Sequence, residues 1–373
     1  MKTGQIRCHA GLRGVAALLV VAYHFQFTAE AHLPFETATP FFRRCYLMVD
    51  LFFLLSGFII SYVNDAQRRT GVGAREYRDF IARRLIRLYP LLLFSLAGYV
   101  FYRLLLSALV HLTHGHTHID WSVKSLEILG SQALLLYAWL PLPSGWNVPS
   151  WSISAELFAY LLFPLLVTLH AKWPRAALCL LGAIALIFYG AIASTTGVLD
   201  IITVIAPFRC VAGFSLGMLL YYSRNLIDRL PSIPLGALQL IAVAAALFML
   251  ARTVNDVLII PAFAILVGTS WTDRGPVAKL LGLPLFVYLG DISYSVYLNH
   301  VPVKDAVTFV WTRAVHLGDP QLDRLLQLIL CTAAILLVSH LTFRRIEIPA
   351  RHYLNQRLLK RRERPIELSP PAP

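Results

Sequence analysis

Stretches of predominantly apolar residues, each long enough to cross a lipid bilayer, alternate along the 373-residue chain with short polar or basic segments. A transmembrane helix needs about 20 mainly apolar residues, at a rise of about 1.5 Å per residue. Ten stretches meet this requirement, beginning near Leu12, Leu47, Pro90, Trp151, Ala176, Pro207, Leu235, Val257, Leu285 and Leu325. The pattern therefore predicts an all-α, polytopic integral membrane protein with about ten transmembrane helices.

An eleventh apolar run extends from Leu126 to Leu140, but it is shorter and contains Glu127 and Gln132. If it were a full span, the count would be odd, and the two chain ends would lie on opposite sides of the membrane. We therefore expect this run to be a re-entrant or interfacial segment.

Two strongly basic segments indicate the orientation. Seven arginines lie between Asn64 and Pro90, and eight lysines or arginines lie between Arg344 and Arg364. Cytoplasmic loops carry an excess of Lys and Arg, so we expect a cytoplasmic loop at the first segment and cytoplasmic chain ends. Residues 111–150 would then lie on the outer side. The predicted location is the cell inner membrane, which the chain crosses several times.

Composition excludes several other classes of protein. Hydrophobic residues make up 57% of the chain and charged residues 14%, with a mean hydropathy of +0.64, whereas soluble chains carry about 25% charged residues. A soluble enzyme and a disordered chain are therefore excluded. The five cysteines are far apart and predict neither a disulfide framework nor a metal site. The net charge of +13 arises largely in the two basic segments, so we expect no nucleic-acid partner.

Ionisable side chains inside spans are costly and are functional candidates by default. Six of them stand out here, namely Arg13, His24, Asp50, Glu156, Arg209 and His300. Arg13 and His24 are eleven residues apart, which puts them on one helix face about 16 Å apart along the axis. The structural alternative is an arginine that reaches the interface and a histidine that bonds a neighbouring helix.

A cluster of arginines precedes the third span. Arg83 and Arg87 are four residues apart and Arg84 and Arg87 are three apart, so the spacing predicts one basic edge of a helix. One guanidinium group can bind a phosphate group through two parallel hydrogen bonds. The sequence predicts either a phosphate site or a simple topology signal at this edge.

Two further segments carry polar residues toward the outer side. Trp151, Ser152 and Glu156 begin one span, and Arg209 lies within reach of Glu156 or Asp50. Ser293, Tyr297 and His300 share a helix face by their four- and three-residue spacing. The pair Ser56 and Gly57 is expected to allow close helix packing or to line a substrate site. We expect the tract with His111, His114, His116 and His118 to be solvated, and we predict no metal site.

Seven stretches together resemble the membrane acyltransferase 3 family, whose members include O-antigen, exopolysaccharide, nodulation-factor and macrolide acyltransferases. They follow the family order across about residues 10 to 350, and they read LRGVAALLVVAYHF, DLFFLLSGFII, RRLIRLYP, PSWSISAE, PFRCVAGFSLG, LGDISYSVYLNH and RRIEIPAR. The resemblance implies a membrane acyltransferase domain over residues 1–350. A basic and then Pro-rich cytoplasmic tail is expected over residues 351–373.

The resemblance also implies an activity, namely O-acylation with cytoplasmic acyl-CoA, expected to be acetyl-CoA, as donor. The acceptor would be a hydroxyl of a sugar or glycoconjugate. Membrane lipid is the other expected partner of the protein. The family's first-helix Arg and His correspond to Arg13 and His24. Its arginine motif corresponds to Arg83, Arg84 and Arg87, and its tryptophan–serine–glutamate stretch to Trp151, Ser152 and Glu156. A homo-oligomer is left open.

Acyl transfer to a hydroxyl requires a base and a group that polarises the carbonyl. We assign His24 as the base, with Asp50 or Glu156 orienting the imidazole or binding acceptor hydroxyls. Arg209, or the hydroxyls of Ser152 and Tyr297, would stabilise the oxyanion, and Arg83, Arg84 and Arg87 would hold the coenzyme phosphates. A covalent acyl-His24 intermediate is left open.

Two alternative functions are carried forward. One is a transporter or flippase for a lipid-linked glycan, which predicts pseudo-symmetric halves that the sequence does not display. The other is an acyltransferase that modifies a small glycosylated metabolite.

Overall fold

The computed structural model describes residues 5–26, 34–112, 125–315 and 317–359, and within those ranges the regular secondary structure is helical. The main helices are α1 (Arg7–Phe25), α2 (Met48–Val63), α3 (Ala74–Leu112), α4 (Leu126–Ala133), α5 (Ser150–Lys172), α6 (Pro174–Ser194), α7 (Ala206–Tyr222), α8 (Ser232–Leu250), α9 (Ile259–Ser270), α10 (Pro276–Leu281), α11 (Pro284–Asp291), α12 (Ser293–Ala314), α13 (Pro320–Thr342) and α14 (Ile348–Leu358). Single helical turns lie at Pro34–Thr37, Phe42–Leu47, Gln67–Thr70, Tyr137–Trp139, Arg224–Asp228, Asp256–Leu258 and Phe343–Glu347. The prediction of an all-α protein is confirmed.

Seven helical segments of the described chain are long and apolar enough to cross a membrane. They are Arg7–Phe25, Phe42–Val63, Ala74–Leu112, Ser150–Lys172, Pro174–Ser194, Ser232–Leu250 and Pro320–Leu358. The protein is therefore a polytopic membrane protein. The three other predicted spans are also helical, but α7 has 17 residues, α9 has 12 residues, and α12 contains His300, Lys304 and Asp305. The total of ten spans stays a prediction.

Helix α3 is longer than the sequence pattern indicated. It begins at Ala74 and has 39 residues, so the arginines from Arg75 to Arg87 lie on a helix. The span predicted to begin near Pro90 therefore belongs to a helix that begins at Ala74, and the predicted helical edge at Arg83, Arg84 and Arg87 lies on it. The physical reason is that proline inside a helix removes only its own bond to the carbonyl four residues earlier. Here that carbonyl belongs to Ile86, and the helix continues on both sides of Pro90.

The eleventh apolar run does not form a span. Its helix α4 has 8 residues, which rise only about 12 Å of a hydrocarbon core about 30 Å thick. The chain then turns at Leu135, whose φ is 59°, and forms the short helix Tyr137–Trp139. This geometry agrees with the expected re-entrant or interfacial segment.

Glycines allow the central helices to pack closely. A Cβ atom at Gly57 of α2 would overlap the carbonyl of Phe214 in α7, and one at Gly217 of α7 would overlap the carbonyl of Leu54. Small residues at helix crossings let the backbones approach one another in membrane proteins. The predicted close packing at Ser56 and Gly57 is thus confirmed, and α2 is held tightly against α7.

Polar contacts between connecting segments occur at both ends of the bundle. Arg224 and Asp65 form an ion pair at 3.4 Å. Arg44 and Asp256 form one at 2.7 Å. Each ion pair joins two segments that are far apart in the sequence. At the C-terminus, residues 351–358 of the predicted tail continue α14, and residues 360–373 lie outside the described chain.

Candidate active site

An open pocket with about 760 Å³ of empty space, which includes space open to solvent and is here called the first cavity, lies between α1, α2, α3, α5 and α12. Its polar lining consists of Arg13, Ser56, Arg84, Arg87, Ser152, Glu156, Tyr160, Ser293, Tyr294 and Tyr297. The apolar part of its wall includes residues from Val49 to Ile60 of α2. Val49 and Ile60 are eleven residues apart, which corresponds to about 16 Å along the helix axis. The first cavity is therefore deep as well as polar.

Three arginines meet at one end of the first cavity. Arg13 comes from α1, and Arg84 and Arg87 come from successive turns of α3. The Arg84 guanidinium lies 5.5 Å from the ring centre of Tyr160, and Arg84 and Arg87 both interact electrostatically with Glu156. Three guanidinium groups interact with two carboxylates, Glu156 and Glu347, which leaves an excess of one positive charge. This end of the first cavity can therefore bind an anionic group.

The predicted edge of three arginines is divided between two cavities. Arg84 and Arg87 line the first cavity, whereas Arg83 is exposed and lines a separate cavity with Phe80 and Phe163. The reason is geometric, since neighbouring residues on a helix point about 100° apart. The three side chains therefore cannot all act on the same phosphate group.

Glu156 is held in the first cavity by a hydroxyl group. The Ser56 hydroxyl donates a hydrogen bond of 2.6 Å to the Glu156 carboxylate, and the Tyr160 hydroxyl lies 3.4 Å from Ser56 Oγ. Glu156 and Arg13 thus lie at the arginine end of the first cavity. The predicted role of Glu156, orienting the imidazole or binding acceptor hydroxyls, stays a prediction.

The opposite end of the first cavity contains paired hydroxyls. Tyr297 Oη and Ser152 Oγ are 2.7 Å apart, and the Ser152 hydroxyl donates to the carbonyl of Pro149 at 3.1 Å. Because Ser152 has only one proton to donate, Tyr297 is the donor between the two hydroxyls. The helix face predicted from Ser293, Tyr297 and His300 is present, and Ser293 and Tyr297 line the first cavity.

A pair of histidines lies one helical turn beyond Tyr297. His300 Nε2 is 3.2 Å from His24 Nδ1, and the rings of Tyr297 and His300 are 5.9 Å apart. His24 is half-buried, whereas His300 is completely buried. The structure therefore brings together two site residues that the sequence had placed on separate helices, α1 and α12.

Asp50 and Arg209 form a buried ion pair between α2 and α7. Arg209 Nε and Nη2 donate to the two carboxylate oxygens at 3.0 and 2.6 Å, and Nη1 donates to the carbonyl of Ile201 at 3.1 Å. The guanidinium also lies 5.3 Å from the Trp151 ring centre. These contacts select Asp50 over Glu156 as the partner of Arg209. Both groups join α2 to α7 in this structure, and their predicted roles toward the imidazole and the oxyanion stay predictions.

Sequence reasoning missed several polar residues near the two ends of the first cavity. Glu347 is buried, accepts a hydrogen bond of 3.0 Å from Ser295, and interacts electrostatically with Arg87. Lys304 lies one turn beyond His300, and its ammonium is 3.4 Å from the His24 carbonyl. The signal that could have found both is a charge within a segment that is otherwise apolar.

Within the described residues, no group of three His, Cys, Asp or Glu side chains is positioned to hold a metal ion. Of the predicted solvated histidine tract, His114, His116 and His118 lie outside the described residues.

Comparisons with known proteins agree with this picture. The chain is 35% identical over 175 residues to Acyltransferase MdmB of Streptomyces mycarofaciens. The aligned stretch covers 44% of this chain and 40% of that protein. It is 38% identical over 87 residues to Protein 2 in picA locus of Rhizobium radiobacter. This second aligned stretch covers 23% of this chain and 40% of that protein. The chain thus aligns with about two fifths of the length of each relative. No solved structure matches it.

A family model described as an acyltransferase domain matches residues 10–344, which is most of the chain. This match confirms the resemblance read from the seven motifs. The chain belongs to the acyltransferase 3 family.

Proposed function

We propose that this enzyme transfers an acyl group, expected to be acetyl, from cytoplasmic acyl-CoA to a hydroxyl of a sugar or glycoconjugate. The observation that carries the proposal is the first cavity, which has arginines at one end and leads toward the His24–His300 pair at the other. A coenzyme thioester has the matching polarity, with phosphates at one end and a reactive carbonyl at the other.

The arginine end would hold the donor. Arg84 and Arg87 would contact the coenzyme phosphates, because guanidinium groups bind phosphate oxygens through paired hydrogen bonds. The thiol arm would then extend along α2 toward Tyr297, over a depth of about 16 Å. Arg13 and Glu156 would contact the donor near its phosphates rather than the reacting carbonyl. Arg83 would not take part in this contact.

The hydrogen bonds of the two histidines assign their tautomers. His24 Nδ1 lies 2.9 Å from the carbonyl of Val20, and His300 Nδ1 lies 3.2 Å from the carbonyl of Val296. Because a carbonyl only accepts hydrogen bonds, each Nδ1 carries a proton. His300 Nε2 therefore presents its lone pair to the proton on His24 Nδ1. His24 Nε2 is left unprotonated, which is the state required of a general base.

This tautomer defines the proposed transfer step. His24 Nε2 takes the proton of the acceptor hydroxyl while the hydroxyl oxygen attacks the thioester carbonyl. The carbon–sulfur bond then breaks, the coenzyme leaves as a thiolate, and the proton on Nε2 passes to that thiolate. His300 acts as a positioning residue, since its Nε2 holds the imidazole in orientation and stabilises the imidazolium that forms. The hydroxyls of Tyr297 and Ser152, which line the first cavity, would stabilise the developing oxyanion.

Purified enzyme in lipid nanodiscs tests the proposal without any ion gradient. The protein is incubated with radiolabelled acetyl-CoA and a panel of acceptors that includes free sugars, lipid-linked glycans and glycosylated metabolites. We expect thiol release together with label on an acceptor hydroxyl. Label on a glycosylated metabolite alone would favour the second acceptor class. A folded enzyme that consumes no acetyl-CoA, but does consume an acylated lipid or protein, would overturn the assignment of the donor.

A further inference from the structure

Helix α12, which carries Tyr297 and His300, contains a proline in its interior. Pro302 has no N–H group, so it cannot bond the carbonyl of Leu298, four residues earlier in the helix. Leu298 is completely buried, and a buried carbonyl without a donor is destabilising. The freed carbonyl lies between the two site residues in the sequence, and its donors must come from outside the helix.

Two side chains from other segments supply these donors. The Ser95 hydroxyl of α3 donates to the Leu298 carbonyl at 3.0 Å, and the Asn147 side-chain amide donates to it at 2.8 Å. The Asn147 amide also donates to Ser95 Oγ at 3.2 Å. Because the carbonyl oxygen only accepts hydrogen bonds, Nδ2 of Asn147 is the atom that faces it. The three groups form a closed and buried set of hydrogen bonds around one carbonyl.

Asn147 is itself held by the short helix α4 of the predicted re-entrant or interfacial segment. The Gln132 side-chain amide donates to the carbonyl of Asn147 at 2.9 Å, and the backbone N–H of Asn147 donates to Gln132 Oε1 at 3.3 Å. Both side chains are completely buried. This reciprocal pair fixes the backbone of Asn147 and thus the direction of its side chain. The transfer step proposed above uses neither residue.

The stretch from Asn147 to Ser152 contacts α12 at two neighbouring residues. The Asn147 amide binds the carbonyl of Leu298, and the Ser152 hydroxyl lies 2.7 Å from Tyr297 Oη. His300 follows two residues after Leu298 and contacts the proposed base. A displacement of α12 at Leu298 would therefore move a proposed oxyanion donor and the partner of the base together. A misplacement of about 1 Å can cost about 100-fold in rate.

We propose that Asn147 is a positioning residue of the transfer reaction. Its amide holds the Leu298 carbonyl at the break that Pro302 makes in α12, and it thereby sets the positions of Tyr297 and His300 relative to His24. The inference rests on the proposed roles of those three side chains, and it adds a role for the segment that precedes α5. Asn147 does not line the first cavity, so its effect on the donor is indirect.

Three variants separate positioning from stability. Asn147→Leu removes the amide donor at similar side-chain size. Pro302→Ala restores a backbone N–H that can bond the Leu298 carbonyl within a regular helix, and the third variant combines both changes. Asn255→Leu is the matched control, because the Asn255 amide also donates to a backbone carbonyl, that of Ala193 at 3.0 Å, and lies outside α12.

The kcat, the KM for acetyl-CoA and thermal unfolding are measured for each variant in lipid nanodiscs. Asn147→Leu should lower kcat about 10–100-fold with little change in KM, whereas Asn255→Leu should keep the parental kcat. Pro302→Ala should be at least as stable as the parent, because an interior proline destabilises a helix. Its kcat should nevertheless fall about tenfold, because the restored backbone bond competes with Asn147 for the carbonyl. The double variant should regain the stability that Asn147→Leu loses and stay slow.

Three results would overturn the positioning role. These are a parental kcat in Pro302→Ala, a parental kcat in folded Asn147→Leu, and a double variant that regains kcat together with stability. If Asn147→Leu does not fold, the kcat of Pro302→Ala decides. Failure of the unmodified enzyme to use acetyl-CoA would instead contradict the proposed function, and the same variants would then be compared with the donor that the enzyme does use.

Discussion

His300 Nε2 lies 3.2 Å from His24 Nδ1, although the two residues are 276 positions apart in the chain. This contact joins the first long helix, α1, to α12. Because each Nδ1 also faces a carbonyl of its own helix, the tautomers proposed above make Nε2 of His24 the basic nitrogen. The proposed chemistry of the first helix therefore depends on a side chain near the other end of the sequence.

Replacing the proposed base should separate catalysis from binding. His24→Gln keeps a hydrogen-bonding amide of similar size but removes a usable base, so turnover should fall about 10²–10⁴-fold. Binding of acetyl-CoA should stay near normal, because His24 is about 16 Å along α1 from Arg13. Acceptor acylation and donor binding are measured on the same folded preparation. Retention of most of the turnover would refute His24 as the base.

A matched pair of substitutions at the second histidine tests its positioning role. His300→Gln keeps an acceptor near the Nε2 position, whereas His300→Met has similar size and no comparable acceptor. We expect kcat to be largely preserved in the glutamine variant and reduced about 10–100-fold in the methionine variant, with KM unchanged in both. If the two variants lose equal activity and equal thermal stability, His300 is only a packing residue.

The two arginines of the first cavity should control donor affinity. Arg84→Ala and Arg87→Ala are each expected to weaken acetyl-CoA binding about tenfold or more, because each removes a guanidinium from the proposed phosphate site. Affinity in the unmodified enzyme should also fall with added salt, more steeply than in either variant. Arg78→Ala, an exposed substitution on the same helix, is the control. Equal affinity for acetyl-CoA in all three variants would indicate that Arg84 and Arg87 contribute only to membrane topology.

The ion pair between α2 and α7 should matter for stability rather than chemistry. Asp50→Asn leaves the Arg209 guanidinium buried without its counter-charge, and such a change destabilises proteins by about 3–5 kcal/mol. The double variant Asp50→Leu with Arg209→Met removes both charges and should recover much of this loss. Thermal unfolding in detergent gives the comparison. A single variant that is as stable as the parent but inactive would show that Asp50 acts in catalysis.

The predicted orientation can be tested with reporter fusions. A reporter near Gly115 should appear on the outer side, and one after Pro373 should appear in the cytoplasm, because the basic segments are expected to stay inside. A third fusion in the loop after Tyr222, beside Arg224, should match the C-terminal one. Reporters at Gly115 and Pro373 on the same side would contradict the ten-span topology.

Much of the fold could be predicted because an uncharged apolar run of bilayer length is typical of a transmembrane helix. The start of α3 was missed because arginine is as compatible with a helix as with a loop. For the site, the sequence pointed to His24 and His300 separately but could not place them in contact, since helix packing decides which faces meet. The division of Arg83 from Arg84 and Arg87 was missed for the same reason. Their spacing describes one helix, and the two cavities are formed by several.

The walls of the first cavity have a consequence for handling the protein. A donor lying along α2, α3 and α5 would connect three helices, and it would bind only when they are assembled. By linkage, a ligand at 100 times its dissociation constant adds about 2.7 kcal/mol to the stability of the state that binds it. Extraction from the membrane in the presence of CoA should therefore give a longer-lived preparation than extraction without it. The shelf life of the purified enzyme would then report on occupancy of the first cavity.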